Sequence, residues 1–587
     1  MTNKFLSPSV VLKLVHFLAF FALSAFILNF NKYPYSDDWA YLTPLNMGSI
    51  KEFVVWMFAQ HVDHRIPIQK LLHYWLARFS GYDFRVLVFF DAMLALTISL
   101  MLTASARIYR GYQHIGDLII PLIVLTPAAG YSLWAFQFQF LSSIFFVSSA
   151  IYFTCKYNES KNSLYLGFAL LQIFLCTFCG MNGVIISTFI TVSILPYLLY
   201  IKNKNGYINN YLISFVIFTL LINMVILLLW APTSASTSES NIFDFIEILI
   251  KLMSASMAVY IFNDSTWKFL LIPIVFLFSC YVIFNKIKNK NINFSDYFIF
   301  VSLIGTLAII ASVALGRSKI QGGWGGVLAM HYGFLTILLP VLSWIIISTY
   351  SRKIIIIPVA FLMVIIFSYA YKNNYEWRSE NVQSTLDKQM SIYSGFKSTD
   401  NSQELVDKFI HEFNWKDDDN SKKTITSGID LLRVYGYPIY TVLPPFNVTH
   451  SISLQNAQNT NNNLVTNKQI VNNKGWGESG DFYRTKLANY TVLGSYRESD
   501  ENTGEISLKI QAGQYLFYRS GPKTKYQLIT ISSDSKSQSY PLPVSYEWAK
   551  INFTSEHLPK DFVVTFQDNG NSWGEWSAIA IKGFDNE

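Results

Sequence analysis

The chain has 587 residues, of which 51% are hydrophobic and only 14% charged, with a formal net charge of +7. That balance excludes an ordinary water-soluble enzyme and indicates a membrane protein beside anionic lipid, with nothing that points to nucleic acid. All four cysteines (Cys155, Cys176, Cys179, Cys280) lie in apolar segments. The remaining sequence therefore has no disulfide framework, and Cys176 with Cys179 reads as small residues at helical spacing, not as a metal site.

Eleven hydrophobic segments are long enough to cross a bilayer core of about 30 Å. They lie near 10–30, 85–106, 117–133, 137–155, 163–179, 182–201, 211–230, 267–285, 296–314, 333–350 and 353–371. The first reads as an uncleaved anchor, because its apolar run continues past Ala22-Leu23-Ser24-Ala25 to Phe30. With the N-terminus in the cytoplasm, the inside loops carry Arg107 and Arg110, Lys156 and Lys161, Lys202 and Lys204, Lys286, Lys288 and Lys290, and Arg352 and Lys353. Every one is basic, as the positive-inside rule requires.

The opposite loops hold the unusual sequence. The first contains Tyr35-Ser36-Asp37-Asp38-Trp39, then His61-Val62-Asp63-His64-Arg65. Two adjacent acids in a partly buried place cannot both ionise cheaply, so such a pair can supply one base and one proton or cation holder. An acidic turn capping a helix is the plainer alternative. His61 and His64 could ligate a divalent metal with Asp63, or could be polar groups at a helix start. Residues 49–60 and 66–79 read as amphipathic helices lying in the interface plane.

Later outside turns carry Trp134-Ala135-Phe136-Gln137-Phe138-Gln139, then Gly180-Met181-Asn182-Gly183. Gln137 and Gln139 suit either interhelical hydrogen bonding or substrate binding, and Asn182 a tight turn or a polar contact. A further loop holds Gly316-Arg317-Ser318-Lys319, a Gly-rich stretch at 322–326, and His331-Tyr332. Arg317 can snorkel to headgroups, but its guanidinium fork also matches phosphate oxygens.

From about residue 372 the long apolar runs stop. The expected organisation is a membrane domain over 1–371, a linker and helical subdomain over 372–474, and a β-sandwich or jelly roll over 475–587. Short strands at 507–510, 515–518, 526–531, 562–566 and 578–581 alternate with Gly, Pro, Asn and Ser. Asp417-Asp418-Asp419 reads as a solvated loop. Trp573 and Trp576 can stack on sugar rings or fill a core. The fold class is thus a mainly α membrane protein of about eleven helices plus a C-terminal soluble α+β part.

The acid pair in the first outside loop, the interfacial helices, the later Arg-bearing loop and the soluble tail together resemble the GT-C superfamily of integral-membrane glycosyltransferases. More closely, "SDDWAYL", "HVDHRIPIQKLL", "WAFQFQF", "GMNGV" and "GR…MHYGF" look like a bacterial group acting in O-antigen or cell-envelope glycosylation. That group includes the serotype-converting glucosyltransferases. The resemblance covers residues 1 to about 371. It implies a polyprenyl-phosphate sugar donor, an envelope glycan acceptor and an inverting transfer at the outer face of the bacterial inner membrane. Asp37 or Asp38 would be the base. Arg317, Arg65, His64 and Lys319 would meet the phosphate, while Trp39, His61, Gln137, Gln139, Asn182, His331 and Tyr332 would line the substrate. Two further readings stay open: an oligosaccharide ligase or polymerase using a diphosphate lipid, and a lipid-linked sugar flippase or transporter.

Overall fold

The computed structural model describes residues 7–29, 32–126, 134–205, 210–231, 242–257, 270–289, 292–317, 332–399, 401–414, 416–440, 446–449, 463–478, 490–523, 526–533, 536–553 and 559–583. They form two compact units, Met1–Thr441 and Val442–Glu587.

The first unit is helical and built for a bilayer. Among the described residues, nine helices are long and apolar enough to cross a membrane: Pro8–Leu28 (α1), Phe84–Arg110, Ala135–Ser160, the Gly180–Tyr200 part of Gly180–Asn205, Asn210–Leu228, Leu271–Lys288, the Phe294–Gly316 part of Phe294–Arg317, Gly333–Tyr350 and Lys353–Ser398. The chain is a multi-pass membrane protein. Two further expected spans are helical but short. Ser163–Cys176 has 14 residues, roughly 21 Å of rise. Ile115–Val124 is shorter still, and 127–133 falls outside the described residues. Helix Gly333–Tyr350 is the buried centre, whereas α1 turns Leu14, Phe17 and Phe21 outward, as a lipid-facing helix should.

Between α1 and Phe84–Arg110 the chain folds into a 3-10 stretch, Ser36–Asn46, and two short helices, Ile50–Phe58 (α2) and Pro67–Phe79 (α3). Ser49 caps α2 by accepting from the Glu52 amide at 3.2 Å. Pro67 starts α3 where its missing N–H costs nothing. Leu71, Leu72, Trp75 and Phe79 of α3 and Val54, Val55 and Phe58 of α2 remain exposed. These apolar faces fit the interface-plane expectation. Helix Ile242–Met253 lies in a stretch whose sequence reads as loop.

The expected boundary at 371 is corrected. Helix Lys353–Ser398 runs straight through it, because the sequence turns polar there without a proline or an early glycine to stop it. Ser402–Phe413 and Asp419–Val434 then fold back onto Ser36–Asn46. The Trp39 ring meets Phe413 edge-on at 5.7 Å, and its Nε1–H donates to the Phe413 carbonyl at 3.2 Å. Gly428 makes this packing feasible: a Cβ there would sit 2.7 Å from the Trp39 ring. Residues 372–441 therefore belong to the membrane unit and brace its first outside loop. Asp418 caps the second of these helices by accepting from the Ser421 amide at 2.8 Å.

The second unit is a pair of antiparallel five-stranded sheets. One has order β1-β8-β5-β10-β3, from Phe446–Thr449 (β1), Tyr490–Gly494 (β3), Tyr515–Ser520 (β5), Ala549–Phe553 (β8) and Ser577–Lys582 (β10). The other has order β2-β4-β9-β6-β7, from Ile470–Lys474 (β2), Gly504–Gln511 (β4), Gln527–Ser533 (β6), Lys536–Pro541 (β7) and Asp561–Asp568 (β9). In β9 the alternate residues Phe562, Val564 and Phe566 enter the core, the period-2 pattern of a strand with one buried face.

Candidate active site

The two acids of the first loop have different surroundings. Asp37 is partly open, with Oδ1 3.3 Å from His61 Nε2. Asp38 is fully buried. Its Oδ2 accepts from the Tyr35 amide at 3.2 Å, closing a local turn. Its Oδ1 has no hydrogen-bond partner among the described residues. Burial drives the Asp38 carboxyl well above the usual carboxylate range, with the Tyr35 and Phe136 amides opposing and the Asp37 and Asp91 charges adding to the rise. One acid of the pair faces solvent and the other is sealed.

His61 reaches Asp37 from a tight turn. His61 and His64 exchange both backbone hydrogen bonds, at 2.8 and 2.9 Å, around Val62-Asp63. Val62 sits at φ 48° and Ser36, just before the acids, at φ 52°. Left-handed backbone is uncommon for any side chain and costly for a β-branched one, and it persists only where surrounding contacts enforce it. Here they do. Trp230 Nε1–H donates to the Asp63 carbonyl at 3.2 Å. Gln60 bonds both ways with Ala231, at 2.6 and 3.1 Å. Arg65 donates to the carbonyls of Phe58 at 2.9 Å and Leu229 at 2.8 Å. Lys70, buried on α3, donates to Trp56 and Ala59 carbonyls at 2.7 and 2.8 Å, ending α2.

The second and third outside turns meet this hairpin. The Phe136 ring stacks obliquely on His61 at 4.8 Å, and Trp134 approaches Tyr35 edge-on at 6.3 Å. His64 Nδ1 accepts from the Met181 amide at 3.3 Å. Gly180, at φ 81°, donates to the Arg65 carbonyl at 3.0 Å. A Cβ on Gly180 would stand 3.3 Å from His64 Nδ1 and 3.4 Å from Gln139 Oε1, so only glycine lets these segments close up. Gln137, Gln139 and Asn182 are all buried. Gln137 Oε1, Gln139 Oε1 and Asn182 Nδ2 have no protein partner among the described residues. Buried amide groups in that condition are costly, and they suit a site that hydrogen-bonds hydroxyls. Tyr332 is buried, its ring 6.0 Å from Phe140.

Thus Asp37, Asp38, His61, His64, Gln139 and the 180–182 turn come together. Other expected residues do not join them. Trp39 is consumed in packing against Phe413. Two Arg65 donors are already committed to carbonyls. Lys319, His331 and the Arg317 side chain lie outside the described residues. The metal reading of His61, Asp63 and His64 meets a different arrangement, since the two rings turn to Asp37 and to the Met181 amide. Among the described residues, no group of three or more His, Cys, Asp or Glu is placed to hold a metal ion. In the β unit, Trp573 is 76% exposed beside Lys523, whereas Trp576 is partly buried with the Arg519 guanidinium 5.8 Å from its ring.

Sequence reasoning missed the layer beneath the acids: Tyr41, Gln69, His73 and Asp91, all buried. An aspartate inside an apolar span was the available signal, because intramembrane acids are functional candidates by default.

No family model and no curated protein matches this sequence. Among solved structures, the arabinosyltransferase EmbB of Mycobacterium smegmatis is similar at 10% identity and a TM-score of 0.29, over 97% of this chain and 64% of that one. The chain thus spans less than two thirds of that protein. A superposition so loose defines neither fold nor reaction.

Proposed function

We propose that this chain is an inverting membrane glycosyltransferase of the GT-C type. It moves one sugar, a hexose such as glucose, from a polyprenyl-phosphate donor to lipopolysaccharide O-antigen or another envelope glycan. The reaction takes place at the periplasmic face of the bacterial inner membrane. The N-terminus is cytoplasmic, and the β unit is periplasmic.

The observation that carries this reading is the split acid pair: Asp37 open and 3.3 Å from His61, Asp38 sealed with one oxygen lacking a hydrogen-bond partner among the described residues. An acceptor hydroxyl needs a base beside it as it attacks the anomeric carbon. The openness of Asp37 supports giving it that proton, with His61 steadying the charge on its carboxylate. Asp38, sealed beneath, closes on the Tyr35 amide and so holds the turn that presents Asp37. The phosphate departs with its own negative charge, so no acid is needed on the leaving side, and cations offset the growing charge. Arg317 and Lys319 are the candidates for that task. Arg65 is a weaker one, with two donors spent on carbonyls. Gln137 Oε1, Gln139 Oε1 and Asn182 Nδ2, without hydrogen-bond partners among the described residues, suit uncharged sugar hydroxyls. On the β unit, Trp573 offers an exposed ring face for a glycan.

The test is sugar transfer by the purified protein, with a panel of polyprenyl-phosphate sugars and extracted envelope glycan. Transfer that disappears in Asp37→Asn supports the reading and names the donor. Absence of transfer from every monophosphate donor by folded protein sinks it and shifts weight to a diphosphate-lipid ligase or a transporter.

A further inference from the structure

Beneath the acid pair a chain of buried polar groups runs from α3 into the helix Phe84–Arg110. Gln69 Nε2–H donates to the Phe136 carbonyl at 2.9 Å and also to the Tyr41 hydroxyl. The Tyr41 oxygen lies 3.2 Å from His73 Nδ1. His73 Nε2 faces Asp91 Oδ1 at 3.4 Å, an ion-pair distance without hydrogen-bond alignment. His73 is wholly buried and Asp91 is 5% exposed.

The valences give the chain a direction. A phenol that accepts from Gln69 has one proton left to donate, and the nearest acceptor is His73 Nδ1. A neutral imidazole that accepts at Nδ1 carries its proton on Nε2, turned to Asp91. Burial pushes the His73 imidazole down to about 3, so it stays neutral at ordinary pH. At the other end Gln69 grips the Phe136 carbonyl, and the Phe136 amide opposes the rise of the Asp38 carboxyl without forming a well-aligned hydrogen bond to it. The Phe136 ring meanwhile packs on His61, the partner of Asp37. The relay therefore touches both acids through one residue.

We propose that Asp91, His73, Tyr41 and Gln69 form a buried relay that positions Asp38 by fixing the Phe136 peptide. The assignment to the transfer step rests on the glycosyltransferase reading above. The four are positioning residues, since none of them contacts the reacting centre. The titratable groups facing His73 are Tyr41 from Ser36–Asn46 and Asp91 from Phe84–Arg110. Those facing Asp38 add Asp37, with its partner His61. Segment 135–140 contributes no titratable side chain. Lys70 of α3 is turned away to the end of α2.

Two readouts on the full-length protein in detergent test this. The first is labelling of Asp38 by a hydrophobic carbodiimide, which reacts with the protonated carboxyl, followed by peptide mass spectrometry across pH. Tyr41→Phe keeps the ring and removes only the hydroxyl, and Gln69→Met keeps the volume and removes both donors. Gln69→Met frees the Phe136 peptide directly and Tyr41→Phe loosens it by removing the second partner of the same amide, so each should move the Asp38 labelling midpoint upward. The double variant should move it no further than the larger single shift, as expected of groups acting as one unit. The second readout is transfer per folded molecule. Tyr41→Phe and Asp91→Asn should lower kcat about 10- to 100-fold with donor KM unchanged, the scale set by small misplacements of a reacting group.

An Asp38 midpoint identical to wild type in both Tyr41→Phe and Gln69→Met overturns the relay, whatever the kinetics do. If one of those variants does not fold, the other carries the same test. Wild-type protein that transfers no sugar sinks the glycosyltransferase reading alone, because the labelling test needs no turnover.

Discussion

The two ends of the membrane unit treat buried acids in opposite ways. At the end carrying the basic loops, Asp296 and Asp117 are both wholly buried. Asp296 Oδ1 accepts from the Tyr109 and Tyr350 hydroxyls, and Oδ2 takes Lys286 at 2.7 Å and the Asn293 amide at 2.8 Å. Asp117 Oδ1 accepts from Trp344 at 3.0 Å. Its Oδ2 accepts from Arg110 at 2.6 Å, Gln113 at 2.7 Å and the His114 amide at 3.0 Å. At the opposite end Asp38 Oδ1, Gln137 Oε1, Gln139 Oε1 and Asn182 Nδ2 have no hydrogen-bond partner among the described residues. A closed network locks helices together, whereas an open one carries a standing desolvation cost. The same residue types thus make structure at one end and a candidate site at the other.

Replacing one acid at each end makes the sharpest test of that contrast. Asp37→Asn should reduce transfer by about 10²- to 10⁴-fold, the range of general-base contributions. Thermal unfolding should barely change, since the Asp37 side chain is 35% exposed and loses only a partial pairing with His61. Asp117→Asn should do the reverse. The Arg110 side chain, 2% exposed, would keep its charge without a countercharge, at a cost of about 3–5 kcal/mol. Transfer per folded molecule should be unaffected. Unfolding curves and turnover measured on both variants check the pair. Equal losses of both quantities in both variants would remove the distinction between the two ends.

The contrast was only partly legible in the sequence. Spans are visible because about 20 apolar residues leave no other economical arrangement. Strands β4, β5, β6, β9 and β10 are visible, β9 because Phe562, Val564 and Phe566 alternate with outward residues, whereas β7 and β8 are not. The acid pair is visible because adjacent carboxylates beside a span are rare and costly. Burial of polar groups by distant segments is not visible. Nothing local to Trp39 shows that Gly428, far along the chain, leaves room for its ring. Nothing local to His73 shows that Tyr41 and Asp91 close over it. Helix Ile242–Met253 reads as loop in the sequence because its 12 residues are too few to span, and Asp244, Glu247 and Lys251 give it a charged face.

Acidity separates the two ends further. The His73 imidazole is held neutral by burial, at about 3 against an ordinary 6.5. Below about 6.5 the unfolded chain takes up a proton that the folded protein refuses. Stability from this group is therefore complete above pH 6.5 and drains away as the pH falls toward 3. One proton per molecule over the 1.5 units from pH 6.5 to 5 amounts to about 2 kcal/mol. The melting temperature of the membrane unit should fall across that window, and His73→Gln should flatten the fall. A slope that survives His73→Gln unchanged would assign the acid sensitivity to another group.

Strain gives the smallest effect and the finest test. Ser36 and Val62 hold left-handed backbone on either side of the Asp37–His61 contact. A β-branched residue in that region costs of order 1–3 kcal/mol, and glycine removes the cost while adding about 0.5–1 kcal/mol of chain entropy. Val62→Gly should therefore stabilise the protein by about 1 kcal/mol, seen as a small rise in melting temperature. If the strained turn serves to press His61 onto Asp37, the same variant should transfer sugar more slowly, because a relaxed turn no longer holds the imidazole 3.3 Å from the carboxylate. Lys161, also left-handed, caps the helix that ends at Ser160 in one of the basic loops. Lys161→Gly should bring a comparable gain in stability with no change in transfer. Strain relief at the acid end that speeds or spares transfer would make the Val62 turn a mere accident of packing.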